Sequence, residues 1–269
     1  MKIQWAGFAH GTEPLKYDFD NFGLANENYL KFKTDSETDE GNGAVKTSSF
    51  IAVLSEGNPC ANRPASASRL VVRNLIRNFR DECRTKQFSE MKHERWLKFQ
   101  FSQIQDKMLA YGEANPEYEG FSASCTCVIV NENIAYIAQL GNTRLYQLRE
   151  DMVIDLSNGK SAEQPTESFF FQRPGVSQSE QMDFLQGMLG VPAADYIEPH
   201  IYIADVQKKD VLCFCTNGLD VTIGAKGFKT FFEKVWNPFN FRSAARHMIA
   251  QGVRTCNDAC VGSLLLRFC

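Results

Sequence analysis

Nine cysteines and four histidines are the most reactive side chains of this 269-residue sequence, and their spacing does not organise them into a site. The cysteine number is odd and no CxxC pair occurs, which argues against a zinc ribbon or a thioredoxin-type dithiol. Cys125/Cys127 and Cys213/Cys215 each lie two apart in strand-like runs, so each pair shares one face of its strand. Such thiols read as reduced, small core hydrophobes. Cys256 and Cys260 flank a loop and keep a redox or metal role as the alternative. His10, His93, His200 and His247 show no metal-ligand spacing, and neither a GxSxG elbow nor a P-loop is present. Serine-hydrolase and P-loop chemistries are therefore unsupported.

The elements that would position a site follow from periodicity. Residues 23–33 and 48–55 read as strands separated by TDSETDEGNG, a polar stretch expected to be an exposed hairpin loop. A helix is expected from Pro64, a residue favoured at the first helical position, with Leu70, Val71, Leu75, Ile76 and Phe79 at helical spacing. A second helix starts near Ser89, and Leu97, Phe101, Ile104, Met108 and Tyr111 form its packing stripe. Strands follow in FSASCTCVIV, NIAYIAQL and TRLYQLR. Residues 157–180 read as a surface loop or flap, 180–189 as a short helix, and 200–206 and 210–216 as strands. Helices near 227–236 and 242–251 precede a last strand, 261–268. Strands, two long helices, then strands again suggest helices covering antiparallel sheet, in one domain spanning 1–269.

Composition narrows the partners. A net charge of −3 and a pI near 5.9 leave no basic surplus to draw in nucleic acid or an anionic membrane. No apolar run is long enough to span a bilayer, and MKIQWAGFAHG is too short and polar for a signal peptide. A cytoplasmic location is expected.

Seven segments then carry a resemblance. GNTRLYQLR at 141–149 resembles the GDSRxYxxR segment of the PPM (type 2C) protein phosphatases, and VLCFCTNGL at 211–219 resembles their LLLCTDGL. GLANENY at 23–29 is similar to RxxNED, IAVLSEGN at 51–58 to FaVaDGmGG, and ASASRLV to the AS that opens the following helix. CNDACVGSLLLRF is similar to the DDAT or DNxT segment with its closing strand, and MLGV at 188–191 supplies the "LG" between. Each match is weak alone; their shared order over 25–269 is the signal. The resemblance implies an α+β fold, a four-layer α/β/β/α sandwich of two stacked antiparallel sheets flanked by helices.

It also implies a chemistry. Family members hydrolyse phosphoserine and phosphothreonine esters with two Mg²⁺ or Mn²⁺ ions, which lower the pKa of a shared water. Those hard cations need oxygen ligands, mainly carboxylates. Carried over by motif, the five carboxylate positions fall at Asn28, Glu56, Asn142, Asn217 and Asn257, so four of five hold asparagine. Gly57 keeps a ligand carbonyl, while Glu27 and Asp258 survive beside substituted positions. Gly23 stands where a phosphate-gripping arginine is common, Asn58, Pro59 and Cys60 replace a glycine-rich run, and NGKS at 158–161 replaces DHS. Asparagine is nearly isosteric with aspartate, so shape persists while charge is lost. Its liking for turns explains Asn217 before Gly218, but not four homologous positions.

The expectation is a pseudophosphatase, a binding or regulatory module without a confident catalytic residue or required cofactor. Its partner would be a kinase, a phosphoprotein or a related signalling protein. The alternative is a divergent enzyme with weak Mn²⁺ or Mg²⁺ binding through Glu27, Glu56 and Asp258. The aromatic run FFFQRP at 169–174 is a candidate docking surface, with a loop tucked onto the sheet as the alternative.

Overall fold

The computed structural model describes residues 1–10, 20–32, 38–59, 61–85, 92–150, 152–157, 187–192, 198–220 and 261–269, with helical positions 231, 241, 243, 246–248 and 250. The predicted helices near 227–236 and 242–251 therefore survive as isolated described residues, while the flap, its FFFQRP run and most of 180–189 lie outside them.

Two six-stranded antiparallel sheets carry the fold. One contains β1 (Lys2–His10), β4 (Thr38–Lys46), β8 (Arg144–Arg149), β9 (Met152–Asp155), β11 (Val211–Cys215) and β12 (Val261–Phe268), in the order β4-β1-β12-β11-β8-β9. The other contains β2 (Asp20–Ala25), β3 (Leu30–Phe32), β5 (Ser49–Gly57), β6 (Ala123–Asn131), β7 (Ile134–Leu140) and β10 (His200–Asp205), in the order β10-β7-β6-β5-β2-β3. Between the sheets pack Phe22, Phe50, Leu54, Phe214, Leu264 and Phe268. Helices α1 (Pro64–Arg84) and α2 (His93–Ala114) cover the second sheet, burying Val71, Leu75, Phe79, Leu97 and Phe101 against Cys125, Cys127 and Ile129. Helical Phe231, Phe241 and Met248 cover the first sheet beside Cys213 and Cys215. This is the four-layer α/β/β/α sandwich. Among the described residues, no helix is long and apolar enough to cross a membrane.

Burial pushes the thiols of Cys125, Cys127, Cys213 and Cys215 upward, and all four are free, as expected of packing residues. Cys256 and Cys260 lie outside the described residues. Pro64 does open α1. Helix α2 begins at His93, and Ser89 lies outside the described residues. Tyr111 leaves the packing stripe: it is exposed and stacks edge-on against Tyr118 instead.

Two local expectations are corrected. The polar stretch read as a hairpin loop is largely strand, because β4 pairs along its whole length with β1, Trp5 opposite Gly43 and Gly7 opposite Gly41. The Trp5 ring lies along this strand, and a Cβ on Gly43 would sit 2.8 Å from its Nε1. Replacing Gly43 with Ala is expected to cost about 1 kcal/mol through overpacking, read as a lower denaturant midpoint at unchanged slope. The expected short helix at 180–189 does not reach its end: Met188 is in a bend, and Leu189 forms an antiparallel bridge to Ala123. Gly190, at φ +87°, donates its N–H to Gln105 Oε1 at 2.6 Å, which gives the "LG" pair a structural role between α2 and β6.

Candidate functional site

Glu56 and Gly57 close strand β5 at its carboxyl end. In an antiparallel pair the end of one strand faces the start of its neighbour. Glu56 accordingly lies opposite Asp20, the first residue of β2, and opposite Ser124 near the start of β6. Asp20 is wholly buried and reaches toward the other sheet: a Cβ on Gly262 of β12 would lie 2.6 Å from its Oδ2. Gly262 is locked to the end of β11, accepting from Thr216 N at 3.0 Å and donating to Thr216 Oγ1 at 2.9 Å. The next residue, Asn217, donates its backbone N–H to Glu56 Oε2 at 3.1 Å. Asp20, Glu56 and Asn217 thus come from three strand ends, on both sheets, to one pole of the sandwich.

Gly57 has a packing reason to be glycine, because an added Cβ would fall 2.1 Å from the Pro64 carbonyl oxygen. Asn21 donates to Ser68 Oγ at 2.8 Å and ties β2 to α1. Asn58 fixes the turn after Gly57, donating its backbone N–H to Ser122 O at 2.9 Å and its amide to Ser122 Oγ at 3.0 Å. At the same pole Asn142 donates its N–H to Ser124 Oγ at 3.2 Å, from a turn where Gly141 takes φ +79°. Arg144 and Tyr146 of the same segment meet the helical turn after Asn217. Tyr146 donates to Asp220 Oδ1 at 2.5 Å, and Arg144 Nε lies 3.8 Å from Asp220 Oδ2. Desolvation raises Asp220, while these two partners hold it down.

Glu27 and Asn28 do not belong to this pole. They occupy the exposed turn between β2 and β3, where Asn26 Oδ1 accepts from Asn28 N at 2.8 Å and Tyr29 N at 2.7 Å. Five residues of extended β2 separate them from Asp20, roughly 17 Å at strand rise. The position beside Glu56 that the NEN motif assigned to Asn28 is held by Asp20. The residues around NEN form a local Asx turn, and the register of β2 on β5 carries that turn to the opposite end. Only the antiparallel register of 20–25 on 51–56 in the structure points to Asp20. Asn257 and Asp258 lie outside the described residues.

The electrostatics follow from burial. Desolvation pushes the Glu56 carboxyl up to about 7, and the Asn217 N–H pulls it back only in part. Among the described residues, no three acidic, histidine or cysteine side chains converge on one point. Among the described residues the pole offers two carboxylates, Asp20 and Glu56, followed by Gly57, with the backbone N–H of the neutral residue Asn217 on Glu56. That donor set suits one hard divalent cation. Two cations about 4 Å apart would need more negative charge to offset their repulsion.

Comparison with known proteins bears on the family and the fold. A family model for protein phosphatase 2C matches residues 39–251. The serine/threonine phosphatase stp of Listeria innocua is 22% identical over 199 residues, covering 71% of this chain and 77% of the relative. The S. agalactiae serine/threonine phosphatase structure superposes with a TM-score of 0.75 at 14% identity, covering 99% of each chain. The catalytic domain of the phosphatase PstP, solved in complex with two manganese ions, superposes at 0.66 and 15% identity, again covering 99% of each chain.

Proposed function

Because this chain belongs to the protein phosphatase 2C family, we propose that it is a pseudophosphatase, a phosphoprotein-binding module on a phosphatase scaffold whose centre holds at most one divalent cation. The observation that carries this reading is Asn217, whose backbone N–H reaches Glu56 and which holds a neutral amide where the resemblance expects a further carboxylate. With Glu56 raised to about 7, much of its charge is itself absent at neutral pH in the metal-free protein. A cation here would be held by Asp20, Glu56 and the Gly57 carbonyl, and would supply Lewis acidity toward a bound water or phosphoryl oxygen. The chain's own contribution is a rigid pole. Thr216 and Gly262 fix one wall, Asn58 and Ser122 fix the other, and the lowered charge admits a phosphoryl group with less repulsion.

One observation favours a second reading. Asp20 supplies a buried carboxylate that the motif pattern does not count, so a slow metal-dependent phosphatase would rest on Asp20 and Glu56. Phosphate release from a phosphothreonine peptide at millimolar Mn²⁺ separates the two. The pseudophosphatase reading expects none above the rate without protein. Release that disappears in both Asp20→Asn and Glu56→Gln would replace it with the second.

A further inference from the structure

Helix α1 carries Arg69, Arg73, Arg77, Arg80 and Arg84 in 21 residues, with Asp81 and Glu82 as its only acidic side chains. At 100° per residue these five arginines fall within an arc of about 80°, along a ridge about 22 Å long. The ridge lies away from the face that buries Val71, Val72, Leu75, Ile76 and Phe79. It also faces away from α2, which engages the helix through Asn78–Gln100 and Lys107–Asn74 hydrogen bonds. Arg77 and Arg84 are exposed, and Arg73 and Arg80 are partly so. Among the described residues, none forms an ion pair with Arg73, Arg77, Arg80 or Arg84.

This arrangement works against the helix that carries it. Arg69–Arg73, Arg73–Arg77 and Arg80–Arg84 are like-charge pairs at i,i+4, which repel. The first turn has no acidic residue to offset the positive end of the helix. The α1 packing face needs none of these charges, and only Arg84 in the last turn and Arg77, four residues before Asp81, have a helix-stabilising placement.

We propose that the arginine ridge of α1 docks an acidic polypeptide segment of a partner protein. Guanidinium forks hold carboxylates bidentately and lose little solvation in doing so. A ridge of this length matches six or seven residues of extended chain. The molecule as a whole has a net charge of −3. Beyond a Debye length it therefore repels an extended polyanion or an anionic bilayer. A single narrow acidic segment meets only the ridge. The surface is distinct from the pole at Asp20 and Glu56, so the proposal does not depend on the chemistry there.

Fluorescence polarisation of a labelled 15-residue Glu-Glu-Ser repeat peptide at low salt tests it. The unmodified chain is expected to bind with an affinity that falls as salt rises, and Arg73→Glu/Arg77→Glu/Arg84→Glu to weaken binding about tenfold or more. Glu56→Gln should leave it unchanged. Arg77→Gln should keep or raise the melting temperature, so loss of binding is not loss of fold. Equal binding by the triple variant overturns the proposal. So does tighter binding of a single-stranded oligonucleotide or of phosphatidylserine vesicles than of the peptide. A tenfold gain on neutralising Asp35, Glu37, Asp39 and Glu40 would also overturn it, since the ridge would then be covered by the chain's own acidic segment.

Discussion

Installing both Asn217→Asp and Asn257→Asp is expected to raise Mn²⁺-dependent hydrolysis of p-nitrophenyl phosphate by about two orders of magnitude. Position 217 follows the locked end of β11, and its backbone already touches Glu56, so the new carboxylate enters beside Asp20 and Glu56 without moving the chain. Its charge supplies what the pole lacks for a second dication. Two orders of magnitude correspond to about 2.7 kcal/mol of barrier, a modest share of what a second ion can contribute by fixing and activating a nucleophile. The added carboxylates should also lower the melting temperature of the metal-free double variant through mutual repulsion, and Mn²⁺ should restore it. A double variant no more active than its parent would mean that the missing charges are not what limits the site.

Replacing Glu56 with Gln should make the metal-free protein more stable at pH 8, by about 2 kcal/mol, while leaving stability at pH 4 nearly unchanged. The folded-state carboxyl titrates near 7 against an ordinary value of 4.5, because burial disfavours its charged form. Between those values the folded protein holds a proton that the unfolded chain has released, so stability falls as pH rises through this window. Above pH 7 the native state carries the full cost of the charged carboxyl. A neutral amide does not titrate. The shift would convert to more than 3 kcal/mol at 1.36 per unit, and partial solvent access at the pole reduces it. Urea denaturation at pH 4 and pH 8 checks this. A variant less stable than its parent at pH 8 would show that Glu56 is held as a stabilising anion.

Much of the architecture was legible because burial imposes period. Leu97, Phe101, Ile104 and Met108 repeat at helical spacing since one face of α2 packs on β-sheet, and all four are buried. Pro64 marks the start of α1 for a reason intrinsic to its ring. The stretch at 38–46 was illegible for the opposite reason. Its edge strand is polar and glycine-rich, and its partner is a tryptophan far away in sequence, so local pattern had nothing to register.

The site shows the same division. Glu56, Gly57 and Asn217 were found through short motifs that do meet in space. The NEN motif misled, because three turn-forming residues resemble a ligand segment wherever a turn is needed. Asp20 was missed because nothing beside it in sequence distinguishes it; only its register opposite Glu56 does. Counting it gives the described residues of the pole a second carboxylate beside Glu56, where the motif positions kept one.

Titration of the metal-free protein with Mn²⁺ by calorimetry, with p-nitrophenyl phosphate turnover followed in the same samples, tests the central claim most directly. The account predicts at most one ion per chain, bound no tighter than about 0.1 mM, and no turnover. Two ions bound at micromolar concentration, with hydrolysis that tracks the second, would contradict it and make this chain a working phosphatase.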